Sequence, residues 1–293
     1  MHRHPIAPHP TNTPARFRLP VAALCLWGIL MLAGPSGSAM AAEPLVVAAA
    51  ASFQPSLRLL AEAWEAGGGA PLRLVFGASG RLAMQIRSGA PYDLFLSADE
   101  GWLRRLEGEG LLAPGTVSFF AEGVLAVAVH RAHMIPMVND PEAPPMDARA
   151  LQVLRRADFR MVGIANPRHA PYGLAAMEVL RHAGLAEPLA GRLVHGADVR
   201  QTLTFLETGN VEAALVAAPL LVNSALPWRE VAANLHTPLR QGLAIIKATG
   251  NGEQARTLRA WLLGDDAARV FRRHGYRAVG QPAAPEQAGG GRP

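Results

Sequence analysis

The sequence has a single cysteine, Cys25, and none after it. Everything beyond that point is therefore without a disulfide, a thiolate nucleophile or a cysteine metal site. Basic charge is also scarce once the N-terminus is set aside. Arg3, Arg16 and Arg18 precede residue 42 with no acid beside them. Without these three, 25 of the 28 Lys and Arg remain against 23 acids, a net charge of about +2 rather than the formal +5. A nucleic-acid footprint needs clustered basic residues, so nucleic acid is not an expected partner. No apolar run after residue 41 approaches the ~20 residues that span a bilayer. There is no close internal repeat, and no pair of carboxylates forms a defensible acid/base couple.

What is present fits a sizeable hydrophobic core. The chain has 293 residues, of which 50% are hydrophobic and 17% charged. That is enough for one large domain or two ordinary lobes. Residues 1–41 read as a signal peptide: Arg16 and Arg18 flank an apolar stretch at 21–33, and small residues at 38–42 suit cleavage after Ala41. Cys25 lies in the middle of that stretch rather than at its end, so a lipoprotein is not expected. Residues 281–293 are rich in Pro, Gly and Ala and read as a disordered tail.

Between these ends, strands and helices alternate, the pattern of a mainly parallel sheet covered on both faces. Four junctions stand out, each where an apolar run gives way to a helix. Residues 45–50 run into Ser52, with Pro55 in the following first turn. Residues 72–76 run into Gly77-Ala78-Ser79-Gly80. Residues 161–165 lead to Asn166-Pro167 and then Pro171-Tyr172-Gly173. Residues 193–196 lead to Asp198-Val199-Arg200, with Asp198 as N-cap. A helix start carries unpaired N–H groups and the positive end of the helix dipole, and so suits an anion. A serine there also serves as an ordinary N-cap, and at Ser79 alone that bland reading is the better one. Residues 131–146, with four prolines, read as a surface excursion, and Asp147 as the cap of a further helix.

Several patterns together resemble one family, the periplasmic molybdate-binding proteins of molybdate ABC importers. They are Ala48-Ala49-Ala50-Ala51-Ser52, Phe76-Gly77-Ala78-Ser79-Gly80, Gly89-Ala90-Pro91-Tyr92-Asp93, Ile164-Ala165-Asn166-Pro167, His169-Ala170-Pro171-Tyr172-Gly173 and Asp198-Val199-Arg200. The resemblance covers nearly all of residues 44–278. It implies a two-lobed α/β fold of the type II periplasmic binding protein kind, each lobe a mixed, mainly parallel sheet flanked by helices, with the ligand cleft between. Lobe one would comprise 43–121 plus 223–280, including strands near 228–232 and 242–247; lobe two would be 122–222. It further implies oxyanion contacts from Ser52, Ser79, Tyr172 and the Val199 N–H, supported by Ala51, Gly80, Pro171 and Asp198. Molybdenum would be held only as molybdate, or tungstate, by those same residues. No cofactor and no catalysis are implied. The implied partners are a membrane permease with its ATPase, the compartment the periplasm, and the state a monomer. One departure is visible: some members carry a tyrosine where this chain reads Leu215-Val216-Ala217-Ala218-Pro219.

Two other functions use the same residues. The same fold could receive sulfate, thiosulfate or an organic anion; a carboxylate would call for a bidentate arginine such as Arg81 or Arg200 turned into the cleft. A serine hydrolase would need a glycine two residues after Ser79, where Arg81 stands instead. His130 and His133 have a metal-like spacing but read as surface histidines before a proline-rich loop.

Overall fold

Each fully apolar run becomes a strand, and each run with apolar residues three and four apart becomes a helix laid over it. The computed structural model describes residues 43–133 and 143–279. The leader at 1–41, the centre of the proline-rich excursion and the tail at 281–293 lie outside the described residues.

Ten strands form two five-stranded sheets. The first holds β1 (Leu45–Ala50), β2 (Leu72–Gly77), β3 (Leu94–Ser97) and β4 (Ser118–Gly123). The second holds β5 (Leu125–Val129), β6 (Val162–Ala165), β7 (Leu193–Gly196), β8 (Ala213–Ala217) and β9 (Trp228–Glu230). The last strand, β10 (Leu239–Ile245), returns to the first sheet between β3 and β4. In the first sheet β1 is flanked by β2 and β3, both parallel to it. In the second, β6 is flanked by β7 and β8, again both parallel. Antiparallel strands complete each sheet. The two sheets thus share one plan without sharing sequence.

Helices make the crossovers. α1 (Gln54–Ala66) buries Leu57, Leu60, Ala61 and Trp64, and has a proline in its first turn. α2 (Ser79–Arg87) and α3 (Glu100–Gly108) serve the same sheet. α4 (Pro171–His182), the one-turn α5 (Ala186–Leu189) and α6 (Val199–Glu207) serve the second. α7 (Gly252–Leu262) and α8 (Asp265–Arg273) follow β10. Under the end of β1, the rings of Phe53, Phe120, Phe271 and Tyr276 pack with centroids 4.8–6.0 Å apart.

Two sequence expectations need correction, and one stretch holds two elements. The apolar stretch from 119 to 129 is two strands, parted at Val124, and they belong to different sheets. The strand near 228–232 was expected in lobe one; β9 instead pairs with β5 at the edge of the second sheet, Val127 opposite Arg229. Local pattern specifies that a strand forms but not which edge it joins. The second sheet therefore runs from Leu125 to Glu230, and the chain crosses at Val124 and again between β9 and β10. Finally, Asp147 does accept from the Ala150 N–H at 2.7 Å, but the segment it opens, Ala150–Arg155, is a 3-10 helix.

Candidate functional site

The four marked junctions all lie at carboxyl ends of parallel strands. Ala50 and Gly77 are register partners at the ends of β1 and β2; Ala165 and Gly196 are partners at the ends of β6 and β7. In each sheet one strand, β1 or β6, has its two parallel neighbours on opposite sides, so the loops after it and its neighbours diverge. A crevice opens at that point, the usual ligand position in open α/β sheets. Here two such crevices face each other. One small pocket lies between them, with roughly 200 Å³ of empty space including its mouth. The enclosed part is far smaller than a drug-sized pocket, the scale of a single small ion.

Ser52, Ser79, Tyr172 and Val199 all line it, as do Ala51, Pro171 and Asp198. Gly80 acts differently. Its N–H donates to the His169 carbonyl at 2.8 Å, joining the helix start below the first sheet to a loop of the second. A Cβ on Gly80 would stand 2.9 Å from that oxygen and 2.5 Å from the Trp102 ring, so only glycine permits the approach.

The hydroxyls are held in distinct ways. Ser79 is the first residue of α2, and the N-cap position belongs to Ala78, whose side chain makes no cap bond. The Ser79 Oγ instead accepts from the Ala98 N–H at 3.1 Å. One lone pair is thereby occupied and the proton is left to donate. Ser52 sits inside a 3-10 turn, Ala51–Phe53, and is fully buried. Tyr172 is the second residue of α4 and 1% exposed. The Ser52 Oγ and Tyr172 Oη make no well-formed hydrogen bond among the described residues. Burial pushes the Tyr172 phenol well above its ordinary pKa, offset in part by the neighbouring Ser52 hydroxyl. The phenol is thus a neutral donor at any physiological pH.

Asp198 is the one ionisable side chain in the lining besides the phenol. Its Oδ1 accepts from the N–H groups of Arg200 and Gln201 at 2.9 and 3.0 Å. That carboxylate is engaged as the cap of α6, leaving the first N–H, on Val199, with no intrahelical partner. Neither arginine enters the pocket. Arg81 is exposed, and Arg200 pairs with Glu207 along its own helix. A carboxylate-binding fork is thus missing from the lining. No histidine lines it among the described residues, and its one carboxylate, Asp198, is engaged as a helix cap. His133 approaches Asp158 at 3.4 Å, and no metal-holding group of His, Cys, Asp and Glu occurs among the described residues.

Sequence reasoning missed three residues behind this lining. Gly123, the last of β4, would carry its Cβ 2.2 Å from the Tyr172 Oη and 2.6 Å from Gln241 Nε2. Gln241 is fully buried and donates to the Ala98 and Leu239 carbonyls at 3.0 and 2.7 Å. Tyr276, 3% exposed, buries its hydroxyl beside Ser52 and Tyr172. None sits at a strand–helix junction, the one local signal available.

The model of the bacterial extracellular solute-binding protein family matches residues 45–277. The chain belongs to that family. The molybdate-binding protein ModA of Azotobacter vinelandii is 32% identical over 249 residues, spanning 83% of this chain and 94% of that one. The corresponding protein of Rhodobacter capsulatus is 29% identical over 268 residues, spanning 91% and 98%. The solved Azotobacter vinelandii periplasmic molybdate-binding protein superposes with a TM-score of 0.70 at 30% identity, covering 79% of this chain and 98% of its own. This extracellular solute-binding protein accordingly has the two-lobed α/β fold that the motifs implied, and no helix among its described residues is long and apolar enough to cross a membrane.

Proposed function

We propose that this protein captures molybdate between its lobes and delivers it to an ABC importer. The observation that carries this reading is a pocket of hydroxyl and N–H donors whose one carboxylate, Asp198, is engaged as a helix cap. Two buried hydroxyls without a well-formed hydrogen bond among the described residues, Ser52 from one side and Tyr172 from the other, line one small space beside helix starts. A buried hydroxyl left unsatisfied costs about 1–3 kcal/mol. A tetrahedral dianion with four acceptor oxygens and no donor would satisfy both, together with Ser79 and the Val199 N–H. Helix starts add about 0.3–1 kcal/mol each toward negative charge, more where buried, without a salt bridge. Protonated phosphate would bring an O–H with no acceptor. Selectivity over sulfate would come from cavity size, and tungstate, nearly the same size as molybdate, would bind as well. The leader at 1–41 would deliver the protein to the periplasm as a monomer, where the lobe-closed form would dock on the permease and its ATPase. Thermal-shift and calorimetric titrations with molybdate, tungstate, sulfate and phosphate test this, since a ligand of the folded state alone must raise the Tm. The expected result is a rise with the first two. Tight sulfate binding without molybdate binding would sink the proposal.

A further inference from the structure

The two serines of the pocket differ in one respect. Ser79 Oγ receives the Ala98 N–H, which leaves its only proton free for a ligand. Ser52 Oγ receives no such backbone donor among the described residues. A serine hydroxyl has one proton and two lone pairs, so an undirected Ser52 would be a poorly aimed donor. The Tyr276 hydroxyl lies in the same buried region and is also without a well-formed partner among the described residues. Its ring is fixed. It stacks on Phe53, the residue after Ser52, with centroids 5.4 Å apart and planes 16° from parallel, and meets Phe271 edge-on at 5.7 Å. Its backbone N–H donates to the Phe271 carbonyl at 3.1 Å, and Arg277 pairs both ways with the Glu122 backbone at 2.8 and 2.9 Å. Burial raises the Tyr276 pKa far above its ordinary value, the nearby Tyr172 adds to this, and the Ser52 hydroxyl partly offsets it. Both phenols therefore neighbour Ser52, but only Tyr172 reaches the pocket.

We propose that Tyr276 is a positioning residue for the bound anion: its O–H donates to Ser52 Oγ, so that the single Ser52 proton points into the pocket. Tyr276 does for Ser52 what the Ala98 N–H does for Ser79. The inference rests on the oxyanion reading above. It also gives an otherwise costly buried phenol, placed among phenylalanines, a partner when the anion orders Ser52.

The test compares the leaderless chain with its Tyr276→Phe, Ser52→Ala and doubly substituted variants, by calorimetry with sodium molybdate up to millimolar concentration and by the ligand-free Tm. Phe keeps the stack on Phe53, so Y276F should melt no lower than the parent. Its affinity should fall about tenfold, the scale of one hydrogen bond to a site accepting charge. The double variant should bind no more weakly than S52A. Unchanged affinity in Y276F overturns the proposal, as does a double variant in which the two losses multiply; a packing defect would multiply in that way. If the parent itself fails to bind molybdate, the oxyanion reading falls and this inference with it. Parent binding beside an unaffected Y276F overturns this inference alone.

Discussion

Ser79 illustrates what one hydroxyl can do at a helix start. The cap position of α2 is Ala78, so the Ser79 side chain is not consumed by its own helix. Its Oγ is anchored by the Ala98 N–H, just past the end of β3, and its proton is left over. Replacing it by alanine removes a donor and leaves one buried N–H unpaired. Ser79→Ala should stay folded yet lose about 1.5–3 kcal/mol of anion binding, the usual worth of a hydrogen bond to a charged group, or roughly ten- to a hundredfold in Kd. Calorimetry with molybdate reads this directly, and retention of parental affinity would return Ser79 to a packing role. Ser79 was visible as a candidate because it follows an apolar run and two flanking glycines mark a turn. Its anchoring by Ala98, 19 residues away, was not visible, because no local pattern encodes that approach.

At the scale of elements, the helix start is the functional unit, and its first duty is to be a helix. α6 depends on Asp198, which accepts two N–H groups, while Val199, the first residue of the helix, lines the pocket. A carboxylate beside an anion site is unfavourable by charge, which makes sense only if capping is worth more. Loss of such a cap costs about 1 kcal/mol, and for a chain of this size about 2–4 °C in Tm. Asp198→Ala should show that drop in a ligand-free melt and bind molybdate more weakly, while Asp198→Asn, which keeps the accepting oxygen, should recover the Tm. An alanine variant as stable as the parent would show that the cap is dispensable. The Asp198 cap was legible because it is local. The 3-10 segment after Asp147 and the edge position of β9 were not: helix type and strand partner are decided by what packs against the segment.

For the whole molecule, the site exists only while the two sheets face each other. The Gly80 N–H bonded to the His169 carbonyl spans that junction. One neutral hydrogen bond contributes about 0.5–1.5 kcal/mol, too little on its own to hold lobes closed against their freedom to open. A ligand touching both sides has differential affinity for the closed arrangement and shifts the population toward it. Small-angle scattering should therefore give a smaller radius of gyration with molybdate than without. Identical curves would show a site formed without lobe movement.

The sequence by itself determined the strand–helix alternation, the four helix entries, the Asp198 cap and the family. Each of these is written in residues a few positions apart, where propensity, periodicity and capping act. Only the tertiary structure decided that these entries converge on one pocket of about 200 Å³, that β9 completes the second sheet, and that Gly123, Gln241 and Tyr276 stand behind the lining. Tyr276 comes into the region of Ser52 from 224 positions further along the chain because Phe53 and Phe271 pack against its ring. Contacts of that kind follow from burial of apolar surface, which favours any close packing and leaves no local mark of which partners will meet.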